Sequence, residues 1–306
     1  MLNLCKTGHM QKRLGFKRWR DPSKRRAFFR PACGSLGIHC EFMPIGNRWL
    51  IPILAQQLGF RGPSVEVGVF RGQFSLEILR HYKSGGMHLL VDAWANFNTS
   101  CNQALALVKR NHKGIVGDKQ CRFSQSKFDA IFEEVRGLFT KRYAHRTLIQ
   151  RNLSERAAAT VARQSLDFQY IDARHDYEGV LEDLRAWWPK LCPGGLMAGH
   201  DYDNVNGMPV ARAVGEFVRS LGPSSDGSKP TVFITSDHPP SWFSFGRRGP
   251  VRRLQSSQWR AHDQVQPCRR THGLCSIALV LSLRCAVIQN YHPEEQTSTR
   301  PLGRSG

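Results

Sequence analysis

A chain of 306 residues with 41% hydrophobic side chains can bury a sizeable core, which excludes a wholly disordered polypeptide. Its formal charge of +20 points to nucleic acid, an anionic membrane or an acidic partner. The excess is terminal, however. Residues 1–45 hold ten Lys and Arg against Asp21 and Glu41, and residues 246–306 hold ten Arg against Asp263, Glu294 and Glu295. The charge therefore describes two flanks better than a binding face. Nine cysteines without a C-x-x-C pair fit neither a disulfide framework nor a zinc site, so reduced, structural thiols are expected.

In chain order, residues 1–45 lack a periodic apolar face. They read as a basic segment, partly disordered or targeting: their acid-poor start suits an organelle transit segment, the alternative to a cytoplasmic location. A helix is expected from near Pro52 to a stop at Gly59. Val65–Val69 reads as a buried strand, Phe74–Tyr82 as a helix with Phe74, Ile78 and Tyr82 on one face, and His88–Trp94 as a second strand. Residues 101–146 give one clear signal, an amphipathic helix in "FDAIFEEVRGLF". "RTLIQ" is a third strand, Ser154 suits the cap of a helix reaching Val161, and "LDFQYID" is a fourth strand ending at Asp172. The next helix carries Val180, Leu181, Leu184, Trp187 and Trp188 on one face, and Pro189 with "CPGG" stops it. "LMAG" is a fifth strand. Val210, Val214, Phe217, Val218 and Leu221 mark another helix, and "TVFITS" and "SWFSF" close as two strands.

This alternation predicts an α/β fold: a doubly wound, mostly parallel seven-stranded sheet over residues 46–246, with helices on both faces and an antiparallel C-terminal hairpin. After about Arg248 the pattern dissolves, so 247–306 reads as an Arg-rich, disordered tail. Its one apolar run, "CSIALVLSL", is shorter than the roughly 20 residues a bilayer crossing needs, and no membrane partner is expected. Ligands of open sheets bind beyond the carboxyl ends of the strands. The groups expected there are Glu66–Gly72, Asp92, Gln150–Ser154, Asp172–Asp176 and His200–Asp203.

In "VEVGVFRGQFSLEIL", Gly68 and Gly72 bracket a turn from strand to helix, where glycine permits positive φ and a close ligand approach. Glu66 is an acid inside an apolar strand and needs a partner. Asp92, ending the next strand, can accept both hydroxyls of a ribose. Because "GVFRG" leaves the middle of G-x-G-x-x-G empty, a pyrophosphate is poorly served, and the acid in the first strand suits a cationic, adenosine-bearing ligand.

"VEVGVFRG", then "DFQYIDARHDYEGV", then "PGGLMAGHDY" resemble, in that order, a class I S-adenosylmethionine-dependent methyltransferase with its Rossmann-like fold. The branch they are most similar to is that of the macrocin O-methyltransferase-like enzymes. The resemblance implies that Gly68 and Gly72 contact the methionine part of S-adenosyl-L-methionine, with Glu66 and Ser75 supporting that site. It also implies that Asp92 holds the ribose, that the Gln150–Ser154 turn lies near the adenine, and that Asp172 reaches cofactor or acceptor.

O-methylation needs the acceptor hydroxyl aligned and its proton removed, by a side-chain base or a metal. Asp172, His175 and His200 are the candidate catalytic groups. Related metal-dependent enzymes imply Mg²⁺ on Asp172 and Asp201, with His200 standing where a second acid is expected and Arg174 opposing a cation by like charge. Asp176 and His175 equally suit the cap of the following helix. The expected reaction is O-methylation of a small hydroxylated molecule. The alternatives are a nucleic-acid acceptor, disfavoured because the charge is flanking and no N/D-P-P-Y motif occurs, and a cofactor-binding protein without catalysis.

Overall fold

The computed structural model describes residues 37–42, 47–96, 123–202, 209–223, 230–237 and 239–246. All lie in a compact unit, Met1–Thr271; a second unit, His272–Gly306, falls outside the described residues, as do most of the basic segment, the tail from 247, and Asp203.

The strands are β1 (His39–Phe42), β2 (Ser64–Val67), β3 (His88–Asp92), β4 (Thr147–Arg151), β5 (Leu166–Ile171), β6 (Leu191–Gly199), β7 (Thr231–Ile234) and β8 (Trp242–Phe245). The helices are α1 (Leu50–Gln57), α2 (Gln73–His81), α3 (Gln125–Arg142), α4 (Ser154–Thr160), α5 (Tyr177–Trp187) and α6 (Pro209–Ser220). One sheet runs in the order β1-β7-β8-β6-β5-β2-β3-β4. Pairing is parallel except where β8 lies against β6 and β7. The doubly wound α/β sheet with its C-terminal antiparallel hairpin is thus present.

Among the described residues the sheet has eight strands rather than seven. The added strand, β1, pairs in parallel with β7 and lies in the stretch assigned to the basic segment. Four residues, "HCEF", are too few to show a period; only the partner strand fixes them. The "CPGG" turn is also absorbed, since β6 starts at Leu191 and a register shift against β5 accommodates it. The thiol expectation fails at two positions, where Cys40 and Cys192 are disulfide-bonded.

β2 and β5 are buried at every position, so their polar residues, Ser64, Glu66, Asp167 and Gln169, are buried with the apolar ones. Alternation sends Val65, Val67, Leu89 and Val91 toward Ala157, Ala158 and Trp187. The opposite face sends Leu90 toward Phe128, Ile131, Val135 and Phe139 of α3. β2 is flanked by β3 on one side and β5 on the other, so the chain reverses its winding between β2 and β5. That reversal opens a crevice beyond the carboxyl ends of these strands.

Candidate active site

The loop after β2 turns at three left-handed residues, Gly68 (φ 92), Phe70 (φ 49) and Gly72 (φ 73). Gly68 is dictated by the crevice wall: a Cβ there would overlap the Asp172 carbonyl and the Ala173 Cα. A Cβ on Gly72 would land 2.5 Å from the Phe139 ring. Both glycines were expected to leave room for a ligand. Their Cβ directions are instead filled by protein, and any ligand meets their other side. Gly72 is also the N-terminal boundary of α2, whose first amides face the loop.

Glu66 lies beneath this loop, 2% exposed, and Ser75 of α2 donates its hydroxyl to it. His88 Nε2 is 3.0 Å from the same Ser75 oxygen, and His88 Nδ1 is 2.9 Å from Ser64 Oγ. A neutral imidazole protonated at Nε2 satisfies all of these bonds at once. Burial, together with the Arg146 charge, lowers the His88 pKa to about 3. Burial also pushes the Glu66 carboxyl well above the carboxylate range, only partly offset by Ser75. Glu66 is thus a buried support, not a cation partner in contact with solvent. Ser64 and His88 escaped sequence reading because each alone resembles an ordinary strand residue.

Asp92 accepts from the Phe70 amide at 2.8 Å and the Trp94 amide at 2.7 Å, stitching the β2 and β3 loops together. Burial raises its pKa while these backbone bonds lower it, with a net upward shift. It caps no helix. Asn152 donates its amide to the Asp92 carbonyl at 2.9 Å, which brings the Gln150–Ser154 turn alongside. Ser154 begins α4 without capping it, since its Oγ accepts from Trp187 Nε1 at 2.9 Å.

At the ends of β5 and β6, two histidines bridge two carboxylates. His175 Nε2 lies 3.4 Å from Asp172 Oδ1 and 3.2 Å from Asp201 Oδ2. His200 Nδ1 lies 3.8 Å from Asp172 Oδ1 and 3.3 Å from Asp201 Oδ1. Asp201 reaches this position through a left-handed backbone, φ 53. Burial would raise its carboxyl, but the His200 hydrogen bond and the charges of His175, His200 and Arg48 outweigh it and hold the pKa below the ordinary value. His175 is 41% exposed and His200 15%, so His175 is the more accessible imidazole. Asp176, not His175, caps α5, accepting from the Gly179 amide at 2.8 Å.

Two arginines change the expected electrostatics. Arg174 turns away, forking onto Asp176 at 2.9 and 2.7 Å and reaching Glu182 at 2.9 Å, so it neither opposes a cation nor faces an acceptor. Arg48, which the sequence did not single out, takes that role: its Nη1 lies 3.3 Å from Asp172 Oδ2. The ligand atoms of Asp172, His175 and Asp201 lie within 4.8 Å of one another, a spacing that could hold a metal. With Arg48 paired to Asp172, however, a divalent ion on that carboxylate would face the guanidinium. Two unit charges at about 4 Å in a partly buried setting cost on the order of 4 kcal/mol, and a divalent ion roughly doubles it. Arg48 therefore makes this set a poorer site for Mg²⁺ than the two carboxylates alone would be.

Residues 65–202, which span the β2 loop through Asp201, match the family model described as a methyltransferase domain. That match agrees with the methyltransferase resemblance read from the sequence. No curated protein matches the chain. Among solved structures it is similar to the O-methyltransferase NovP, at 19% identity and TM-score 0.44 over 66% of this chain and 80% of that one. A proposed rRNA methylase from Clostridium thermocellum is similar at 13% identity and TM-score 0.43, over 67% and 99%. A Streptococcus mutans protein in complex with SAH, proposed to be a methyltransferase, is similar at 12% identity and TM-score 0.41, over 63% and 93%. Among the described residues no helix is long and apolar enough to cross a membrane.

Proposed function

We propose that the chain methylates a hydroxyl of a small molecule, with His175 as general base. The observation that carries this reading is the His175 imidazole set between Asp172 and Asp201 at the crevice mouth. Two carboxylates near Nε2 favour a proton there, which puts the ring's lone pair on Nδ1. His175 then takes the acceptor's hydroxyl proton, and the flanking carboxylates stabilise the resulting imidazolium. His200, more buried and aimed at the same pair, fixes Asp201 in place.

S-adenosyl-L-methionine, when bound, supplies an electrophilic methyl group on a sulfonium. The donor chemistry of the crevice suits it. Asp92 is partly exposed at the end of β3, where its carboxylate would accept from a ribose hydroxyl. The Gly68–Gly72 loop would face the methionine part, supported from below by Glu66 and Ser75, and the Gln150–Ser154 turn would flank the adenine. Asp172 would serve the cofactor or the acceptor. The test is incubation with methyl-labelled S-adenosylmethionine and a panel of hydroxylated metabolites. His175→Ala should lower turnover about 10²–10⁴-fold with cofactor affinity kept. Undiminished turnover in that variant would remove His175 as the base.

A further inference from the structure

The crevice holds a resident cation that the chemistry above leaves unused. Arg48 stands just ahead of α1, and besides Asp172 it has three anchors. Its guanidinium carbon lies 4.8 Å from the Trp49 ring centroid and 5.5 Å from that of Phe74. Those rings are themselves 5.6 Å apart, so they form a platform for a planar cation. Its backbone amide donates to Asp237 Oδ2 at 2.9 Å, tying the residue to the turn between β7 and β8. The Arg48 charge also helps hold the Asp201 pKa down and offsets a small part of the upward shift that burial gives Glu66 and Tyr170. A guanidinium has five donors, and the Asp172 contact engages Nη1.

We propose that Arg48 occupies the place of a divalent cation at the acceptor end of the crevice, so that transfer by this chain needs no metal. The inference rests on the methyltransferase reading. In it, Arg48 is a positioning residue: it orients Asp172, and its charge stabilises the oxyanion that develops as His175 accepts the proton. The carboxylate–histidine set, able by spacing to hold a metal, is kept from one by a side chain that delivers positive charge without coordination.

Mn²⁺ titration of the full chain, followed by the electron paramagnetic resonance signal of the unbound ion, tests this. Wild type and Arg48→Lys should bind weakly. Arg48→Ala and Arg48→Met should bind at least about tenfold more tightly, the repulsion being gone. The Met variant keeps an unbranched side chain against Trp49 and Phe74, so it answers the question even if the Ala variant fails to fold. Adding Asp172→Asn to Arg48→Met should abolish the gain. A wild type that binds Mn²⁺ as tightly as Arg48→Met overturns the proposal, as does a Met variant that gains no affinity. Calorimetry with S-adenosylhomocysteine on the same samples separates the two readings: if wild type does not bind it, the methyltransferase reading falls, whereas the Mn²⁺ series judges Arg48 alone.

Discussion

Gly68 and Gly72 were conspicuous as sequence, yet the reason for each is visible only in three dimensions. Gly68 combines φ 92 with a Cβ direction blocked by the Asp172 backbone, which cannot move without shifting β5. Gly68→Ala should destabilise the fold by about 3 kcal/mol or more, from left-handed strain and overpacking together. Gly72→Ala, opposed by the edge of one aromatic ring, should cost less. Urea denaturation at fixed m-value measures both, and a Gly68→Ala variant as stable as wild type would show that β2 and β5 do not approach as described. Arg48 is the reverse case. It sits 124 residues from Asp172 in sequence and belongs to no motif, so no local signal links them. Asp172, His175, His200 and Asp201 were legible because all four end strands, a property that alternation exposes.

At the scale of elements, the βα units from β2 to α6 were readable because their strands are buried runs and their helices carry apolar faces at helical spacing. α3 illustrates this, with Phe128, Ile131, Val135 and Phe139 buried in sequence. Polar choices inside elements were harder to read. Asp183 lies on the buried side of α5, 5% exposed, and its Oδ2 has no hydrogen-bond partner. Burial raises its pKa to about 6, against lowering by Ser154 and Arg174. The folded-state value exceeds the unfolded one, so this group's contribution to stability is full below about pH 4 and is lost as pH rises through 6. Asp183→Asn stays neutral throughout. It should therefore gain stability over wild type between pH 4 and pH 6 and hold the gain above, by at most about 3 kcal/mol. Thermal melts at pH 5 and pH 7.5 would show it. An equal difference at both values would mean that Asp183 does not titrate in this window.

For the whole molecule, the sheet order places the site: reversal between β2 and β5 gathers the ends of β2, β3, β5 and β6 at one crevice. The sequence supplied the direction of winding but not the far edge, because β1 is a four-residue strand whose place depends on β7, some 190 residues later. That edge bears on where the domain starts. Ile38 is 7% exposed and joins the cluster of Val210, Val214, Phe217 and Val232, with Cys40 and Phe42 packed beside it. Burying Ile38 alone contributes about 1.5–3 kcal/mol, and β1 also pairs the outer edge of β7. A chain cut to 37–246 should unfold in one cooperative transition. One cut to 46–246 should unfold at lower denaturant and expose the β7 edge to association, which light scattering detects alongside circular dichroism. If the two truncations melt together and remain equally monodisperse, β1 adds nothing to the domain and its boundary returns to residue 46.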